Sequence, residues 1–172
     1  MHGCTPPPTP LTRIVRDATA LVSARVMPIA VPDVCLEADV PAGSGMATPG
    51  TVWFARDDIA IFSRPARRWP ADRVFVVLHE ALHQVGMSNG LEGGDQMDEE
   101  DGLSEAVAQD LRPVWLRREI GRDVPVGIAY RALVARARIA SARAVGRPWP
   151  SPQARAWRIK ALATPPAERP PI

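Results

Sequence analysis

The chain has 172 residues, 46% of them hydrophobic, which is enough to bury one sizeable core and too little for a second domain of ordinary size. Lys+Arg total 21 against 19 Asp+Glu, a formal charge of only +2, and every cation except Lys160 is arginine. No segment reaches the density of a basic arm with interleaved aromatics, and no apolar run approaches membrane-spanning length, so nucleic-acid binding and a membrane role are set aside as leading functions.

Prolines crowd the two ends, which predicts a disordered tail over residues 1–9, one domain over 10–145 and a Pro/Arg-rich tail over 146–172. The opening Met1-His2-Gly3-Cys4 has neither a charged nor an apolar leader segment, and the expectation is a cytoplasmic protein. Cys4 and Cys35 stand far apart outside any paired motif. They read as a tail thiol and a strand-packing thiol, not as a disulfide or a thiolate metal site.

Thr9 followed by Pro10 is a helix-start signal, and Leu11, Ile14, Val15, Ala18, Leu21, Val22 and Val26 then recur at helical spacing, predicting a helix over 10–27. Residues 29–40 are β-branched but interrupted by Pro32, as in a short or edge strand. The Gly, Ser and Pro stretch 41–50 reads as a loop. Residues 51–55 and 59–62, separated by Arg56-Asp57-Asp58, have the form of a β-hairpin.

Pro70 and Asp72 open a further helix, expected over 71–85 and apolar on nearly every side, hence buried, with Gly86 as its left-handed terminator. Residues 88–102 follow with Glu92, Asp95, Asp98, Glu99, Glu100 and Asp101 and no compensating base, which reads as a solvated acidic loop. Helices are predicted over 102–112, ended or kinked by Pro113, and over 123–145, where Arg131, Arg136, Arg138 and Arg143 form a solvated face. A short helical stretch over 153–162 lies in the proline-rich tail and is not expected to pack.

The chemistry concentrates in His79-Glu80-Ala81-Leu82-His83. Four residues advance a helix by about 400°, so the two imidazoles lie about 40° apart on one face, one turn apart, and can share one ion. Two of the three histidines of the chain are used here, and a glutamate on an apolar helix is costly without a partner. Placed beside the first histidine, Glu80 suits a general base for water activated by the metal.

This HExxH pattern resembles the zincin metallopeptidases. The metzincin pattern HExxHxxGxxH is met at Gly86 but not at its last position, which is Asn89. Leu103-Ser104-Glu105-Ala106-Val107-Ala108 resembles the glutamate helix of the gluzincins, with Glu105 lying 22 residues after His83, so the likeness is to a small, minigluzincin-like domain.

The resemblance implies an α+β, zincin-like fold with a small antiparallel or mixed sheet, an HExxH helix and a following glutamate helix. It implies one Zn2+ per chain held by His79, His83 and Glu105, Glu80 as the catalytic base, and a peptide or protein substrate lying along a strand near residues 59–62. Asp95 is the alternative third ligand. The place four residues after Glu105, where gluzincins can carry an orienting aspartate, holds Gln109, with Asp110 one step on; Tyr130, the only tyrosine, is a weak candidate for oxyanion stabiliser. The competing functional reading is a non-catalytic metal-binding module on the same fold.

Overall fold

The computed structural model describes residues 3–88, 97–124, 128–149 and 151–163. Among the described residues the architecture is α+β, with six α-helices, two 3-10 turns and one three-stranded mixed sheet. Helix α1, Thr9–Arg25, starts at the Pro10 signal and buries Leu11, Ile14, Val15, Ala18, Leu21 and Val22 as one stripe. Thr19 sits within that stripe because its hydroxyl donates to the Val15 carbonyl at 2.8 Å, so no polar group is stranded.

Strands β1 (Asp33–Glu37), β2 (Gly45–Thr48) and β3 (Thr51–Ala55) lie in the order β1-β3-β2, with β1 parallel and β2 antiparallel to β3. The hairpin is therefore β2–β3, and β2 comes from the segment expected to be a loop. Its two-residue turn, Pro49-Gly50, places Gly50 at φ 77°, the left-handed conformation that a type II turn asks of glycine after proline. Leu36 pairs with Phe54 across the parallel register, and both are fully buried with Val52 on the sheet's inner face. Cys35, Trp53 and Met46 line up on the outer face.

Residues 59–62, expected as the second hairpin strand and as the edge for a peptide, form instead a single helical turn, α2 (Ile59–Phe62), preceded by a 3-10 turn over Arg56–Asp58. Only Phe62 of the four is buried, edge-to-face between Phe54 (centroids 5.9 Å) and Trp69 (5.1 Å). Asp58, read as part of the hairpin's turn, is 4% exposed and accepts from the Gly43 amide at 2.7 Å and from Arg73 Nε at 2.9 Å. Those two bonds hold the turn inward, against the loop before β2 and the start of the next helix.

Helix α3, Ala71–Ser88, passes through Gly86, which is buried inside it and terminates nothing. Helix α4, Met97–Ile120, begins within the segment expected to be an acidic loop and runs through Pro113. Proline removes one backbone bond and costs an isolated helix about 3 kcal/mol. Here Leu111, Trp115 and Leu116 beyond and before it are buried, and Trp115 Nε1 donates to the Val74 carbonyl of α3 at 2.8 Å, so tertiary packing holds the helix together across the proline.

Helix α5 is Ile128–Ala144 and α6 is Pro152–Ala163. The latter was expected to lie free, yet Ala154, Trp157 and Ala161 are buried, and Trp157 and Ala161 belong to the main core. Arg158 is buried beside them, with Nη1 donating to the Ala144 carbonyl at 2.7 Å and its guanidinium over the Trp149 ring. The domain thus continues through α6.

Cys4 and Cys35 are joined as a disulfide, where two separate thiols were expected. Thr5 and Leu36 exchange backbone hydrogen bonds, at 3.1 Å each, as an isolated antiparallel bridge beside β1. That bridge carries residue 4 to residue 35, a proximity invisible in their separation of 31 residues. Among the described residues no helix is long and apolar enough to cross a membrane.

Candidate metal centre

Helix α3 is held under the sheet by the residue that follows His83. Gln84, 3% exposed, accepts from the Gly50 amide at 3.0 Å and donates to the Thr48 carbonyl at 2.9 Å and the Thr51 carbonyl at 3.2 Å. All the polar atoms of its amide are used on the β2–β3 turn. Arg73, one end of α3, is tied through Asp58 to the loop before β2. The helix therefore has a fixed rotation relative to the sheet, and that rotation sets which way residues 79, 80 and 83 face.

His79 and His83 turn toward α4, 15% and 13% exposed at their side chains. Their Nε2 atoms lie 3.0 Å apart, and Asp101 Oδ1 of α4 lies 3.3 Å from the first and 3.2 Å from the second. These three residues form a group that can hold a metal ion. Ligands at about 2.1 Å in a tetrahedral site stand about 3.4 Å from one another, so the observed triangle matches one face of such a tetrahedron. Two imidazole nitrogens at 3.0 Å with facing lone pairs also repel unless a proton or a cation lies between them.

Glu105 reaches His79 from the other side of the ring, its Oε2 being 2.8 Å from Nδ1. The approach lies off the N–H direction, so it is an ion-pair contact more than an aligned hydrogen bond. Its second oxygen, Oε1, accepts from Gln109 Nε2 at 2.9 Å. Gln109 thus supports Glu105 from one helical turn further along α4. Asp110 is engaged elsewhere, in an ion pair with Arg138 of α5.

Burial lowers the basicity of His79, but the contacts with Asp101 and Glu105 raise it by more, and the net effect is a pKa raised to about 9. The same contacts with His79 and then His83 hold the Asp101 carboxyl well below its usual range. Both directions describe one negative and one positive charge held against each other in a partly buried cleft, and a metal ion taken up there would have to displace the His79 proton.

Glu80 is 4% exposed and lies under β2. A Cβ on Gly45 would stand 2.5 Å from its Cγ, so β2 crosses over the Glu80 side chain at a distance that glycine alone permits.

Of the residues the sequence pattern singled out, His79, His83 and Glu105 are brought together and Glu80 lies beneath Gly45, whereas Asp101 was read only as one charge of the acidic stretch. Its signal was available: Asp101 and Glu105 are four apart, so on one helix they share a face. The assumption of a loop over 88–102 concealed it. Gln84 and Gly45 carried no motif at all. Asp95 and the Tyr130 side chain lie outside the described residues. Arg131, Arg136 and Arg143 are exposed, in keeping with a solvated face.

No family model, no curated protein and no solved structure matches this chain.

Proposed function

We propose that the chain is a zinc-dependent peptidase of the zincin kind, with the metal held by His79 Nε2, His83 Nε2 and Asp101 Oδ1. The observation that carries the reading is the meeting of those three atoms at 3.0–3.3 Å on one face of the HExxH helix, with a buried glutamate next in sequence to the first histidine. The HExxH resemblance supports a zincin whose third ligand comes from α4; with Asp101 in that place and Glu105 one turn behind it, the proposed ligand set departs from the gluzincin pattern, whose third ligand is a glutamate.

Zinc, when bound, supplies Lewis acidity toward water and a peptide carbonyl. Glu105 fixes the ring of His79 through Nδ1 and so presents Nε2 to the site. Gln109 fixes Glu105. Glu80 accepts the proton of the attacking water at a carboxylate oxygen and passes it to the leaving amine, and its burial keeps that carboxylate away from competing bulk water. Asp101, 65% exposed at its side chain, leaves the centre accessible to a substrate from solvent.

The depth of Glu80 favours a second reading, a metal-binding module without turnover, because a base beneath Gly45 needs room to meet a substrate. Glu80→Gln separates the two. The peptidase reading expects the variant to keep its metal and to lose cleavage across a mixed peptide library. Metal retention with no cleavage by wild type establishes the module instead.

The disulfide also bears on where the protein works. Such bonds persist where thiols are oxidised and are rare in a reducing cytoplasm. An oxidising compartment is therefore proposed in place of the cytoplasmic one.

A further inference from the structure

The outer face of the sheet carries a pocket of about 600 Å³, on the opposite side of β2 from Glu80. Its walls are apolar, with Val40, Pro41, Met46 and Trp53, and Glu37 and Asp39 are set among them. Glu37 belongs to β1 and is 9% exposed. One of its oxygens, Oε1, accepts from the Ala38 amide at 2.9 Å, while Oε2 is buried and has no hydrogen-bond partner among the described residues.

Glu37 and Asp39 give this otherwise apolar pocket its negative charge, and carboxylates beside apolar walls favour a cationic partner. A bare ion would leave the apolar walls wetted, whereas an alkyl stem with a charged head satisfies both parts of the pocket. Trp53 adds a ring face suited to a guanidinium or ammonium group, its own Nε1 already donating to Thr48 Oγ1 at 3.1 Å.

We infer that this pocket docks a peptide segment bearing an arginine or lysine side chain between apolar residues, with Glu37 as the partner of the cation. A peptide is favoured over a free amine by the strand beside the pocket. Among the described residues β2 pairs only with β3, so its other edge has backbone groups available to an extended chain. Met46, 47% exposed at the middle of β2, adds apolar surface at the mouth.

Docking here requires neither metal nor hydrolysis. Gly45 nevertheless links the two places, because it lines the pocket and its backbone rests against Glu80. A segment held on the outer face is thereby held on the strand that covers Glu80.

The test uses two tripeptide probes, acetyl-Leu-Arg-Leu-amide and acetyl-Leu-Gln-Leu-amide, titrated by calorimetry into the full chain in the presence of chelator. Wild type should bind the arginine probe at least tenfold more tightly than the glutamine probe. Glu37→Gln should remove the preference, and Met46→Arg, which sets a cation at the mouth, should block the arginine probe while the melting temperature stays near that of wild type. His79→Ala should bind both probes as wild type does, which separates docking from the metal chemistry. Equal affinity of wild type for the two probes, no binding of either at millimolar concentration, or an undiminished arginine preference in Glu37→Gln or Met46→Arg would overturn the inference.

Discussion

Gly45 and Glu80 compete for one space: a Cβ on Gly45 would lie 2.5 Å from Glu80 Cγ and 2.8 Å from both Cδ and Oε1. Gly45→Ala must therefore displace the Glu80 side chain or lift β2 from α3. We expect a loss of about 1–3 kcal/mol in stability, typical of overpacking at a well-filled position. In a Glu80→Ala background the same change should cost little, since the obstructing atoms are gone. A double-mutant cycle by denaturant unfolding measures this, and additive costs would show that the two residues do not press on each other.

The histidine cluster predicts a specific pH dependence. With its pKa at about 9, above the ordinary 6.5, His79 holds a proton in the metal-free folded chain that the unfolded chain releases earlier. Its contribution to metal-free stability is then complete below 6.5 and lost as the pH rises through about 9. Metal competes with that same proton, so apparent metal affinity should climb with pH, approaching about tenfold per unit in that window, and flatten above it. Competition titrations with a chromophoric chelator from pH 6.5 to 9.5 read the slope. An affinity independent of pH would contradict the protonated cluster.

What the sequence disclosed and what it hid follow from the range of the forces involved. The stripe of α1, the strand β3 and the buried HExxH helix rest on local periodicity, and all are present near their expected places. Ile59-Ala60-Ile61-Phe62 looked like a strand because β-branched residues pack well there, but its conformation is decided by Asp58 bonding to Gly43 and Arg73, both distant in sequence. Pro113 marked a helix end only so long as Trp115 was not known to anchor on Val74. The last helix was obscured by its prolines, although Trp157 supplied a large apolar side chain in need of burial. At the site, spacing disclosed the histidine pair, whereas Asp101 became visible only when α4 was seen to begin at Met97.

The Cys4–Cys35 disulfide closes a loop of 31 residues' separation. Restricting an unfolded chain by a link of that span is worth about 3–4 kcal/mol in the loop-entropy description. Reduction, or Cys35→Ser together with Cys4→Ser, should lower stability by roughly that amount and release the Thr5–Leu36 bridge to hydrogen exchange. Unfolding curves that superpose with and without reductant would refute it.

Glu119, near the end of α4, is only 4% exposed at its side chain. Burial first, and Asp17 second, raise its carboxyl from 4.5 to about 7, against the opposing pull of Arg118 and Arg13. The folded state thus binds a proton that the unfolded state has released between those values, and the stability from this residue, complete below 4.5, is lost as the pH rises through 7. Glu119→Gln should accordingly stabilise the fold at pH 8 by about 1–3 kcal/mol, with the gain disappearing near pH 4.5. Thermal unfolding at the two pH values decides it, and a variant less stable than wild type at pH 8 would run against the sign.

The central claim is that His79, His83 and Asp101 hold one zinc ion while Glu105 orients His79 from behind. Its most direct test is metal content by mass spectrometry on wild type, Asp101→Asn and Glu105→Gln, all taken through the same mild chelation. The account predicts one zinc per chain in wild type, loss in Asp101→Asn, and retention with an affinity about 10–100-fold weaker in Glu105→Gln, as for a residue that positions a ligand. Zinc kept by Asp101→Asn and lost by Glu105→Gln would return the third ligand to Glu105, and a wild type that binds none would remove the metal centre altogether.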